Sequence, residues 1–115
     1  MKQRSILVLL ILSALSLWGA DLTGTWTAAV VLDAGSGNAT FTFTQTGEKL
    51  SGTYSGTLGD AKITGTVKGD RAEWSFDNDQ AGTISYSGVV SSATEMKGTV
   101  VYGQLGNGTF TARKK

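Results

Sequence analysis

The chain has 115 residues, 40% of them hydrophobic and 17% charged, with 16 glycines and no proline, cysteine or histidine. That length bounds it to a single domain, and the missing cysteine and histidine exclude disulfide bracing, thiol chemistry, Ser-His-Asp catalysis and the usual zinc ligands. The formal charge of +1 gathers into no basic patch, which argues against nucleic acid or an anionic membrane as a partner.

The first predicted element is a helical signal peptide over 1–20. Lys2 and Arg4 open it, Ile6 to Leu17 is apolar apart from small residues, and Trp18-Gly19-Ala20 leads into polar sequence. This is the layout of a secretory leader, and its apolar run is shorter than the ~20 residues that span a bilayer. An uncleaved anchor is the alternative. The expected localisation is secreted or periplasmic, with cleavage within a few positions of Ala20. The expected mature domain, 21–115, holds eight Lys/Arg and nine Asp/Glu, a formal charge of −1.

From Asp21 onward the apolar residues alternate with period two, and Thr, Val, Tyr, Phe and Trp are abundant, which predicts strands. Turn-forming residues divide the chain at 33–38, 46–48, 58–60, 68–70, 77–80, 91–94 and 103–107. Eight strands follow: 22–32, 38–46, 49–58, 61–68, 71–77, 81–90, 95–103 and 107–113. One face of the first carries Leu22, Trp26, Ala28, Val30 and Leu32. The same phase gives Phe41 and Phe43; Leu50, Tyr54 and Leu58; and Ile63 and Val67. It continues with Ala72, Trp74 and Phe76; Ile84, Tyr86 and Val90; Met96, Val100 and Tyr102; and Phe110 and Ala112. The opposite face is Thr, Ser and Lys, as in Thr40, Thr42 and Thr44.

Short connections make antiparallel neighbours, because a parallel crossover needs a dozen or more residues. Eight hairpin-linked strands form a meander, and closing the last onto the first removes both raw edges. The expected fold is all-β, an eight-stranded antiparallel up-and-down barrel, with a two-sheet sandwich as the alternative. A polar exterior argues against an outer-membrane barrel, whose outside is apolar.

A short pattern recurs along the strands. An apolar residue, any residue, then Gly-Thr and another apolar residue appears as Leu22-Thr23-Gly24-Thr25-Trp26, Leu50-Ser51-Gly52-Thr53-Tyr54, Ile63-Thr64-Gly65-Thr66-Val67 and Met96-Lys97-Gly98-Thr99-Val100. Gly88 and Gly108 sit in near copies. All six glycines fall on the inward phase. They let narrow-barrel strands coil and let facing groups approach, or they leave interior space for a ligand. An eight-stranded barrel is wide enough either to be filled by its own side chains or to hold one small molecule.

Gly24-Thr25-Trp26 on the first strand of such a meander resembles the Gly-x-Trp start of the lipocalins and avidins, the calycin group. Leu50-Ser51-Gly52-Thr53-Tyr54 is similar to the third-strand stretch of the avidins. The resemblance implies a secreted barrel with a cup for a small ligand. Ala28 and Gly56 stand where avidins place biotin-binding Asn and Ser, so biotin is not the implied ligand. The resemblance also implies a basic residue from the last strand packing near Trp26, with Lys114 on the inward phase and Arg113 on the outward one.

The expected function is non-catalytic binding of a small apolar or aromatic ligand in the barrel mouth. Trp26, Tyr54, Trp74, Tyr86 and Tyr102 would form the wall and the Tyr hydroxyls would orient the ligand. No metal or cofactor is expected. The alternative is an interaction or inhibitor barrel with a filled interior, acting through loops 33–38 or 103–107, where Leu105 is an apolar tip. Asp60, Asp70, Asp77 and Asp79 lie in predicted turns, where Asp is expected on turn chemistry alone. Asp77-Asn78-Asp79 also has the oxygen-rich start of a calcium loop, without its glycine and distant glutamate. Asn38-Ala39-Thr40 and Asn107-Gly108-Thr109 match the N-glycosylation acceptor pattern.

Overall fold

Eight strands follow one another around a closed antiparallel barrel in chain order, so the meander closes as expected. The structure, a computed structural model, describes residues 21–33, 35–79 and 81–115, with Leu105 through its backbone alone. The expected signal peptide at 1–20 lies outside the described residues, as does the side chain of Leu105. The strands are β1 (Gly24–Leu32), β2 (Gly35–Thr46), β3 (Lys49–Gly56), β4 (Gly59–Lys68), β5 (Arg71–Asn78), β6 (Gly82–Ser92), β7 (Glu95–Tyr102) and β8 (Asn107–Lys114). The β1–β8 ladder runs from Trp26 opposite Lys114 to Leu32 opposite Gly108 and removes both edges.

Most strand ends fall within two residues of the sequence-based expectation, and two connections differ in kind. The 33–38 stretch is mostly strand: Gly35, Ser36, Gly37 and Asn38 pair with Leu32, Val31, Val30 and Ala29. Backbone ladder bonds need no side chain, so glycine content alone did not mark a loop there. On its other side β2 meets β3 only from Ala39 opposite Gly56 onward. The Gly35–Asn38 segment therefore stands above the rest of the barrel as part of a raised hairpin. In addition, Gly103–Leu105 folds as a short 3-10 turn between β7 and β8.

Every residue assigned to the inward phase is buried or half-buried, and the Thr and Ser rows face out. Burial of large apolar side chains at roughly 2 kcal/mol each is the main source of stability. The base of the barrel is plugged by its own N-terminal segment. Leu22 is buried, its N–H donates to Gln45 Oε1 at 2.9 Å, and its carbonyl accepts from Trp26 Nε1 at 2.9 Å.

The recurring glycines serve chiefly as points of close backbone approach. A methyl carbon at Gly65 would overlap the Glu73 carbonyl oxygen of β5, and one at Gly98 the Ser87 carbonyl oxygen of β6. Gly88 differs, because there the Phe110 ring tip and Met96 Sδ occupy the space that a side chain would take. The missing side chains are thus used for coiling or filled by neighbours.

Candidate functional site

The lower and middle interior is occupied by aromatic rings. Phe41 lies at the centre, with ring centroids 5.6 Å from Phe43, 5.6 Å from Tyr54, 5.3 Å from Trp74 and 4.9 Å from Tyr86. Trp74 and Tyr86 stack at 5.3 Å, and Phe110 meets both edge-on at 5.7 and 5.1 Å. Tyr54 stacks on Phe76 at 4.3 Å. Offset and edge-to-face pairs of this kind add to simple area burial. Trp74 Nε1 is the one buried side-chain polar atom without a hydrogen-bond partner among the described residues.

Above this packed layer a cleft of about 230 Å³ opens at the end of the barrel that carries the β1–β2, β3–β4, β5–β6 and β7–β8 connections. Val30 and Leu32 of β1, the raised Gly35–Asn38 segment, Thr57 after β3, and the rings of Tyr54 and Tyr102 line it. The cleft exists because β2 overruns its β3 partner and carries small residues there. Side chains of ordinary size at Gly35 and Gly37 would narrow it.

The tyrosines bring their hydroxyls together under this cleft. The Tyr86 and Tyr102 oxygens are 2.8 Å apart in a buried hydrogen bond. Tyr54 adds a third hydroxyl beside Tyr102, and its oxygen accepts from the Leu58 N–H at 3.4 Å. Gly56 makes room for it: a methyl there would lie 2.6 Å from the Tyr54 hydroxyl oxygen. Burial first, and then the Tyr102 hydroxyl, push the Tyr86 phenol well above its ordinary value. Tyr102 is likewise raised, chiefly by burial, with the Tyr86 bond acting the other way. Because both folded values are raised, these groups leave stability unchanged at neutral pH and lower it only as pH climbs above the ordinary phenol value of about 10. The cleft floor therefore presents neutral hydroxyls.

Of the five residues expected to form the wall, the structure brings Tyr54 and Tyr102 to the cleft. Tyr86 stands directly behind Tyr102 through the hydroxyl bond. Trp74 belongs to the ring layer below, and Trp26 lies nearer the plugged base, both fully enclosed. Sequence reasoning placed Val30 and Leu32 on the inward face without assigning them to the site, and it missed Ser36, Asn38 and Thr57. Their signal was the glycine-rich stretch itself, read as a loop. Lys114 does sit opposite Trp26, and its aliphatic chain covers Gly24. Arg113 points out and pairs with Glu95 at 3.0 Å.

The Asp77 and Asn78 side-chain oxygens serve the β5–β6 turn. Asp77 Oδ1 accepts from Thr83 Oγ1 at 2.9 Å and Asn78 Oδ1 accepts from the Ala81 N–H at 3.0 Å. Asn78 Nδ2 reaches across to the Leu58 carbonyl at 3.3 Å, tying two mouth connections together.

Charge is divided along the barrel axis. Asp33, Asp60, Asp77 and Asp79 lie at the mouth end, where Lys62 is the only cation among the described residues. All other described cations, from Lys49 to Lys115, lie toward the plugged base. Compared with protein-family models, curated proteins and solved structures, the chain matches none.

Proposed function

We propose that this barrel is a non-catalytic binding module, exported from the cytoplasm, that holds a small apolar or aromatic molecule in its mouth. The observation that carries the reading is the cleft of about 230 Å³ lined by Val30, Leu32, Tyr54 and Tyr102 above a solid ring layer. A concave apolar site with a few convergent polar groups is the usual form of a small-molecule site. The calycin likeness supports the same reading at the level of architecture, because those barrels also bind at an open end. The filled interior limits the ligand to the mouth, so a long chain threading the barrel axis is not accommodated.

Isothermal calorimetry against short neutral aromatics and long-chain fatty acids tests this. The short aromatics should bind with a negative heat-capacity change, the mark of buried apolar surface, and the long chains should gain nothing from added length. Gly37→Leu places a side chain in the cleft and should abolish binding while the fold persists. Absence of heat across the whole panel would overturn the reading.

The filled interior also favours a second reading, an interaction barrel that acts through its mouth connections. In that case no small molecule binds, and Leu105→Ser weakens partner binding, while the 103–107 backbone, held by the Gln104 N–H to the Ala81 carbonyl at 3.0 Å and the Tyr102 N–H to the Gly106 carbonyl at 2.8 Å, is left in place.

A further inference from the structure

We propose that the mouth cleft selects an uncharged, acceptor-bearing aromatic ligand, such as an amide or ketone, and rejects carboxylates of the same size. This inference rests on the binding role proposed above and adds the chemical class.

The hydroxyl cluster carries more protons than internal acceptors. The 2.8 Å bond between the Tyr86 and Tyr102 oxygens engages one of their two hydroxyl protons, whichever ring donates. If Tyr102 donated, the Tyr86 proton would be stranded behind the cleft without a partner, a costly arrangement; the favoured direction has Tyr86 donate, which leaves the Tyr102 proton to point to Tyr54 or into the cleft. If it points to Tyr54, the Tyr54 proton is itself left over, since the Leu58 N–H that meets Tyr54 can only donate. Tyr54 and Tyr102 both line the cleft. The floor is therefore a net hydrogen-bond donor in search of an acceptor, and a buried donor without one is costly.

Charge at the mouth disfavours an anion. Among the described residues, no cationic side chain lines the cleft. The Asp33 carboxylate stands at the rim, directly after the lining residue Leu32 and beside Gly106. Asp60, Asp77 and Asp79 reinforce the same sign at that end. A carboxylate entering would leave water for an apolar cleft with no counter-charge and would meet a repulsive rim. A neutral carbonyl accepts the same tyrosine proton without either cost.

Cleft size limits the ligand to a small body. The ring layer beneath closes the axis at Phe41, Trp74 and Tyr86. A cleft of about 230 Å³ suits a fused two-ring body with a short polar arm.

The test pairs 1-naphthaleneacetamide with 1-naphthaleneacetate, which share one body and differ in charge, in calorimetric titrations at pH 7 and low ionic strength. The amide should bind at least tenfold more tightly. Asp33→Asn, an exposed change that leaves the core untouched, should narrow that ratio by strengthening the acetate alone. Tyr102→Phe should weaken the amide several-fold, and the ratio at high salt should fall as the rim is screened. Equal or tighter binding of the acetate would overturn the selectivity while leaving the mouth as a binding site. If neither compound binds, nor any neutral aromatic of the wider panel, the binding role itself falls and the inference with it.

Discussion

Gly98→Ala should lower stability by about 3 kcal/mol or more, the scale of a severe overpacking change, and Gly65→Ala should act alike. At both positions the added methyl meets main chain, which has no rotamer to yield. At Gly98 it overlaps the Ser87 carbonyl and lies 2.6 Å from the Gly88 Cα; at Gly65 it overlaps the Glu73 carbonyl and lies 2.7 Å from the Trp74 Cα. Relief requires the adjoining strand to move outward, which uncoils a barrel whose closure depends on each ladder. In a domain of this size the loss corresponds to a fall in melting temperature of roughly 15 °C. Gly37→Ala is the control. Its nearest neighbour would be Thr57 Oγ1 at 3.8 Å, an ordinary contact, so its effect should stay within about 0.5 kcal/mol. Urea and thermal melts followed by circular dichroism separate the cases. A Gly98→Ala protein that melts with the wild type would contradict the close-approach account of the repeat.

Phe41→Ala should cost about 3–5 kcal/mol, as expected for removing a fully enclosed ring. The ring is completely buried and touches four others from β2, β3, β5 and β6. Its loss leaves a dry apolar void between sheet walls that ladder bonds hold apart, so collapse is limited. The stacked Trp74–Tyr86 pair, 6° from parallel, should also lose its fixed orientation. Denaturant unfolding gives the energy, and the near-ultraviolet circular dichroism reports the pair. A loss below 1 kcal/mol would mean that the interior is not packed around this ring.

These two sites mark the limits of what the sequence conveyed. Strand number, closure and the inward phase were legible because alternation with period two assigns each side chain to a face, and short turns force antiparallel neighbours. A basic residue near Trp26 was implied by the calycin resemblance, with Lys114 on the inward phase, and the ladder sets Lys114 opposite Trp26. Depth along the barrel axis was not legible. Trp26, Trp74 and Tyr102 share one phase, yet Trp26 lies by the plugged base, Trp74 in the ring layer and Tyr102 at the mouth. That depth depends on stagger between strands, and single-strand alternation does not encode stagger. Nor could the sequence distinguish a hollow interior from a filled one, because ring orientation is set by partners across the barrel. Phe110 lying over Gly88 is such a case. The cleft itself depends on β2 running past β3, and Gly35 and Gly37 concealed that overrun by resembling a loop.

Amide chemical-shift mapping during titration with 1-naphthaleneacetamide tests most directly the claim that ligand binds at the mouth above a solid core. The account predicts shifts confined to the cleft lining, from Val30 and Leu32 through the 35–38 segment to Tyr54, Thr57 and Tyr102, with Leu50, Val67 and Met96 near the base unmoved. Shifts centred on the base or on the outer Thr and Ser rows, with the mouth silent, would contradict it.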